Sequence, residues 1–157
     1  MTYDISIRDF IAGDEYQILK LLNRNLGDQQ HLNINRDLNW WKWKYEDNIF
    51  GKPIIKIGEH KGEIIACRIF WPWRLYKDGK ELVCYQPVDA VVDEKYRGKG
   101  IFTKLTNAIL TESAEKIDLI FNFPNEQSIQ GNLNAGWSFL GKINWYVKIN
   151  NFFPLLK

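Results

Sequence analysis

The sequence predicts a mixed α/β (α+β) domain built on a mostly antiparallel sheet. Three observations carry that expectation. Several short runs alternate apolar and polar residues, as half-buried strands do, and others space apolar residues three and four apart, as helices do. Tight-turn pairs, Lys61-Gly62 and Asp78-Gly79, join consecutive strand-like runs into hairpins. At 157 residues the chain has the size of one domain, so residues 1–157 are read as a single unit.

The elements follow in order. Tyr3 to Arg8 alternates Tyr3, Ile5 and Ile7 against polar neighbours and reads as a first strand. Asp14 opens a helix as its N-cap, with Gln17 three residues on in the manner of a capping box. Ile18, Leu21, Leu22 and Leu26 form the apolar stripe of that helix, and Gly27 stops it. Leu38 to Tyr45 packs three tryptophans into a short helix. Strands at Ile54–His60 and Glu63–Leu75 follow, then a turn at Lys77–Lys80 and a long strand, Leu82–Val92. Pro87 inside that strand marks a bulge or a local break, because proline donates nothing to a ladder. A glycine-rich turn, Arg97 to Gly100, leads into a helix from Ile101 to about Glu115, whose buried face is Ile101, Leu105, Ala108 and Ile109. Ile117–Phe123 is a short apolar strand ended by Pro124. Asn125 caps a brief helix that closes at Gly136, and Trp137–Ile149 reads as a last strand.

Composition narrows the function classes. Hydrophobic residues at 45% and charged residues at 25% allow a packed core and argue against disorder. Lys plus Arg number 21 and Asp plus Glu 19, and a net charge of +2 is too small to hold nucleic acid through its phosphates. No apolar run reaches the length of a membrane span, and no basic segment followed by an apolar one opens the chain. A cytoplasmic, non-membrane protein is expected. Cys67 and Cys84 are too few for a disulfide framework, and His31 and His60 lack metal-ligand spacing, so no metal is expected.

The chemistry concentrates in Val91-Val92-Asp93-Glu94-Lys95-Tyr96-Arg97-Gly98-Lys99-Gly100-Ile101-Phe102. A strand delivers the chain to two glycines and a helix begins at once. Glycines let backbone N–H groups approach a phosphate, and the helix N-terminus favours an anion. Arg97, Lys99 and Lys104 add side-chain charge. The bland alternative is a solvated glycine turn. A P-loop is excluded, since Gly-Lys-Ser/Thr is absent, and a dinucleotide fingerprint is excluded, since only two of its three glycines are present.

This loop resembles the acetyl-coenzyme A motif of the GNAT N-acetyltransferase superfamily, Arg/Gln-x-x-Gly-x-Gly/Ala, through Arg97, Gly98, Lys99, Gly100, Ile101 and Phe102, with Phe102 in place of a small residue. Downstream, Asn125, Ser128, Gly136 and Trp137 fall at the family's spacing, while Asn132 stands where a tyrosine is usual. The resemblance covers the chain and is nearest to bacterial members with Phe-Pro-Asn, here Phe123-Pro124-Asn125; several of those run longer at the C-terminus, which leaves open that an extension is missing.

What the resemblance implies is a sheet of about six to seven strands flanked by about four helices, and direct attack of an amine on the thioester of acetyl-coenzyme A within a ternary complex. Backbone amides from Gly98 to Phe102 would hold the diphosphate. Main-chain groups of Ala90, Val91 and Val92 would pair with the pantetheine arm, and a strand N–H would polarise the thioester carbonyl. Asn125 would meet the pantetheine or cap the last helix, with Ser128 beside the cofactor. An ammonium must lose a proton before it attacks, and Asp89 is the candidate base, the alternative being a structural aspartate. With Asn132 the usual acid is missing; Tyr85, Tyr146 or water are the substitutes. Cys84, without a histidine neighbour, reads as a buried apolar residue rather than a nucleophile. The tryptophans at 40, 41, 43, 71 and 73 suggest stacking on an amino sugar, against core packing or a homodimer face. The acceptor is thus a small-molecule amine. A coenzyme A-binding module without turnover is the alternative, and an interaction domain that binds no nucleotide is a third reading.

Overall fold

The computed structural model describes residues 4–26, 35–124, 126–134, 136–144 and 146. The chain divides into two compact parts, residues 1–123 and 124–157. In the first, the order is β1 (Ser6–Asp9), α1 (Asp14–Leu26), α2 (Leu38–Trp41), a turn of π-helix (Lys42–Glu46), β2 (Ile54–His60), β3 (Glu63–Lys77), β4 (Lys80–Val92), a 3₁₀ turn (Glu94–Tyr96), α3 (Ile101–Ser113) and β5 (Leu119–Ile120). The second holds α4 (Glu126–Asn134).

The strands pair in chain order, β1-β2-β3-β4-β5, antiparallel except for β4 with β5. Both hairpins are set by two consecutive positive-φ residues, Lys61 (52°) with Gly62 (79°) and Asp78 (51°) with Gly79 (77°), the geometry that matches strand twist. The second hairpin makes β3 and β4 each two residues longer at the turn than the sequence suggests. Five strands are present among the described residues rather than six or seven. β5 is two residues long instead of spanning Ile117–Phe123, and residues 137–144 form no strand. The expected strand residue Tyr3 and helix stop Gly27 lie outside the described residues.

Side-chain alternation splits the core into two layers. α1 buries Ile18, Leu21 and Leu22 against Ile55 and Ile57 of β2 and Cys67 and Ile69 of β3, with Trp41 and Tyr45 in the same cluster. α3 places Ile101 and Leu105 on Ile65 and Ala66 from the opposite face. Gly58 lets the layers approach closely: a Cβ on it would stand 3.2 Å from Ala66 Cβ and 3.4 Å from Ile101 Cγ2, tighter than ordinary contact. The tryptophan segment is mostly core. Trp41 and Tyr45 are each 2% exposed, whereas Trp43 is 67% exposed. The helical period breaks there because the chain widens, with the Asp47 N–H donating to the Lys42 carbonyl at 2.9 Å.

No capping box forms at α1. Gln17 Oε1 accepts from the Ile64 N–H of β3 instead (3.0 Å). The Asp14 carboxylate accepts two bonds from the Arg8 guanidinium, 2.7 and 3.0 Å, and one from the Ile11 N–H at 2.9 Å, fastening β1 to the start of α1. The bonds from Arg8, against the opposing effect of burial, hold the Asp14 carboxyl below its ordinary pKa. Asp14→Ala should lower the unfolding free energy by about 2 kcal/mol at pH 7, as loss of charge-assisted hydrogen bonds does. Because the folded pKa is depressed, this contribution is complete above the unfolded carboxylate pKa, near ~4, and is lost as pH falls through the folded value. Urea melts of both proteins should therefore differ at neutral pH and converge in acid.

Candidate active site

β4 is paired with β3 along its length, but β5 accompanies it only at Cys84 and Tyr85. The Asp118 N–H donates to the Val83 carbonyl at 2.9 Å and the Phe121 N–H to the Tyr85 carbonyl at 3.2 Å, so residues 83 and 85 turn their main-chain groups toward β5. By strand alternation Pro87 turns the same way. Its missing N–H therefore costs no β3–β4 bond and falls where β5 has diverged. From Gln86 to Val92 this edge of β4 has no strand beside it among the described residues.

A bulge then reverses the alternation. Cys67 lies opposite Val91 and Ile69 opposite Val88, so Asp89 and Ala90 together face the single residue Arg68, with Asp89 at φ 43°. Beyond it, the Asp93 N–H donates to the Ile65 carbonyl at 2.7 Å, so residues 93 and 91 face β3. Ala90 and Val92 consequently present their main-chain groups to the open edge. Of the three residues expected along the pantetheine arm, Ala90 and Val92 face this edge. Val91 turns its main chain to β3 and its side chain into the core, 4% exposed.

The loop that follows is tied down from inside. Asp93 is 7% exposed; its carboxylate caps the 3₁₀ turn through the Lys95 N–H at 3.0 Å and pairs with Arg24 of α1. Arg97 donates from Nε to the Val92 carbonyl (3.2 Å) and from Nη2 to Asn25 Oδ1 (3.1 Å), and Lys99 Nζ to the Lys95 carbonyl (3.1 Å). Gly98 (φ 74°) and Gly100 (φ 71°) are left-handed, and a Cβ on either would meet no heavy atom within 4 Å. Glycine is needed for the turn, and the space above it is open. Gly100 gives α3, a 13-residue helix, no side-chain cap for its first amides; Ile101 anchors the first turn in the core and Phe102 follows it. These features suit a diphosphate.

On the opposite face from α3, the Asp89 carboxylate forms an ion pair with Lys44 and accepts from the Tyr45 hydroxyl, both through Oδ2. The Tyr45 hydroxyl is pushed well above its ordinary pKa by burial, then by the Asp89 charge, and so acts here as a donor. Sequence reasoning missed both partners, which approach across 45 and 44 residues. Lys44 also leads to an aromatic row: its carbonyl accepts from Trp71 Nε1 at 2.9 Å, and Trp71, Trp73, Phe121 and Phe123 follow edge to face at centroid distances of 6.0, 5.8 and 5.8 Å. Phe50 stacks on Trp73 at 6.0 Å. Gln86 Oε1 accepts from Trp73 Nε1. Cys84 is wholly buried and its thiol is pushed upward chiefly by burial, which disfavours a thiolate nucleophile.

In the second part of the chain, Asn132 of α4 is 4% exposed, and neither atom of its amide has a hydrogen-bond partner. Ser128 lies on the same helix, half-buried. Asn125 falls outside the described residues.

Residues 6–139 match the acetyltransferase (GNAT) domain family. No curated protein matches the sequence. Among solved structures, an acetyltransferase of Trypanosoma brucei superposes with a TM-score of 0.68 at 17% identity, over 93% of this chain and 100% of that one. Glucosamine-6-phosphate N-acetyltransferase of Arabidopsis thaliana gives 0.61 at 16%, over 95% and 98%. An aminoglycoside acetyltransferase from an uncultured soil metagenomic sample, in complex with trehalose, gives 0.69 at 14%, over 93% and 97%. The solved structures share the fold, the family match spans most of the sequence, and the chain belongs to the GNAT acetyltransferase family.

Proposed function

We propose that this chain transfers the acetyl group of acetyl-coenzyme A to the amine of a small molecule, an amino sugar being the class its aromatic row favours, by direct attack in a ternary complex. The observation that carries the reading is the open edge of β4 at Ala90 and Val92, running into an uncapped helix between two left-handed glycines. Residues 1–157 act as one cytoplasmic catalytic domain in this reading. Amides of Gly98, Lys99, Gly100, Ile101 and Phe102 hold the diphosphate, with Arg97 and Lys99 at its rim. Ala90 and Val92 pair with the arm as an added strand would, and an N–H at the bulge polarises the thioester carbonyl.

Asp89 is the base. Lys44 and Tyr45 occupy its Oδ2, which leaves Oδ1 to accept a proton from the acceptor ammonium. The freed amine attacks the carbonyl carbon, the C–S bond breaks with its electron pair staying on sulfur, and the surplus proton on the new amide nitrogen passes through water to the thiolate. Trp71 and Trp73 offer faces on which a sugar ring stacks beside the base. Two of the solved neighbours act on aminated sugars by name, glucosamine-6-phosphate and aminoglycosides, which agrees with this acceptor class.

One observation favours a second reading, a coenzyme A-binding module without turnover: the position usual for the acid tyrosine holds Asn132, which donates no proton usefully. Thiol release from acetyl-coenzyme A, measured over a panel of amino sugars and simple amines, decides between the two. Release with at least one amino sugar is expected. Saturable coenzyme A binding with no release on any amine would establish the module instead.

A further inference from the structure

Arg68 sits on β3 opposite the bulge, alone against Asp89 and Ala90. Its residue is 4% exposed, and Nε and Nη2 are buried without a hydrogen-bond partner. Among the described residues no carboxylate pairs with it. The guanidinium lies instead against two aromatic rings, 5.3 Å from the Phe70 centroid and 4.5 Å from that of Phe102. Phe102 is the second residue of α3, so this cation is packed under the first turn of the helix whose amides are uncapped.

Burial lowers the Arg68 pKa to about 10, which leaves it charged at neutral pH. A buried ion without a counter-ion costs more than a desolvated cation–π contact returns. Among the described residues the cost of this cation is thus not offset. Arg97, the arginine of the loop motif, is already engaged with Val92 and Asn25.

We propose that Arg68 is a buried anion-binding residue of the cofactor site, and that the anion it takes is a phosphate oxygen of coenzyme A entering at the first turn of α3. This rests on the reading that the chain binds acetyl-coenzyme A. Charge selects the phosphates, because the pantetheine arm itself is neutral. Fork geometry selects them too, since a guanidinium presents two parallel donors to two phosphate oxygens. The Phe102 ring covers the guanidinium in the free protein and moves aside as the phosphate arrives.

The test compares wild type, Arg68→Met and Arg68→Lys, titrating coenzyme A by calorimetry and pantetheine, which has no phosphate, by ligand-observed NMR. Arg68→Met should weaken coenzyme A binding by about 30-fold or more, the loss expected when one partner of a buried charged pair is removed. Pantetheine binding should stay unchanged, and the free variant should melt at or above the wild-type temperature, because an unpaired buried cation has gone. Arg68→Lys, which keeps the charge and loses the fork, should fall between. Wild-type coenzyme A affinity in both variants overturns the proposal, as does an equal loss for coenzyme A and pantetheine, which assigns Arg68 to packing. Failure of the wild type itself to bind coenzyme A sinks the underlying reading as well, and the wild-type titration separates that result from the others.

Discussion

Coenzyme A binding should vanish in a Gly100→Glu protein that still folds. Gly100 is left-handed at φ 71°, where a side chain costs about 1–2 kcal/mol, and no heavy atom lies within 4 Å of the Cβ it would gain. The strain is within what a domain of this size tolerates. The new carboxylate, however, would project into the space above the α3 amides and satisfy them internally, as a capping acid does. It would also repel the diphosphate directly. Calorimetry should show at least about a hundredfold loss, roughly 2.7 kcal/mol. Gly100→Ala carries the strain without the charge and should keep most of the affinity. Unchanged binding in a folded Gly100→Glu protein would remove the ligand from this turn.

Turnover should fall by about 10²–10⁴-fold in Asp89→Asn, the usual contribution of a general base. An amide in this position leaves Lys44 unpaired at 17% side-chain exposure, so a lower melting temperature is also expected. Stability alone does not discriminate, and the rate profile does. Coenzyme A affinity should stay within about twofold while turnover falls. A near-normal rate across the pH range would make Asp89 a structural residue that holds α2 and the π-turn to the bulge.

How legible all this is in the sequence depends on the range of the interaction. Lys61-Gly62 and Asp78-Gly79 announce their hairpins because two adjacent residues fix the turn. Gly98 and Gly100 announce a loop for the same reason. The capping box fails because its members find better partners elsewhere: Asp14 takes Arg8, and Gln17 takes a β3 amide 47 residues away. Trp137 onward has strand-like composition, yet residues 137–144 join no ladder, and composition cannot supply a neighbour. Pro87 hints at irregularity in β4, but the bulge lies at Asp89 and Ala90, where nothing in the residues demands it. The partners of Asp89 are set by tertiary packing alone. Arg68 does leave a trace, a lone charge inside the apolar run Ile64-Ile65-Ala66-Cys67-Arg68-Ile69-Phe70, where a two-sided buried strand has no solvent to offer it.

The divergence of β5 from β4 has a colloidal consequence as well. An exposed row of strand amides and carbonyls is a template on which another molecule of the same chain can add a strand, and such edges seed aggregation unless something spoils them. Pro87 removes one donor from that row, the bulge at Asp89 and Ala90 throws its spacing out of register, and Arg97 occupies the Val92 carbonyl at its end. A straight, fully hydrogen-bonding strand would not dock along such an edge, whereas a thin, flexible chain with a few well-separated amides would. Among the described residues, the irregularities along this edge are thereby the ones that keep crowded copies of the protein from polymerising through this seam.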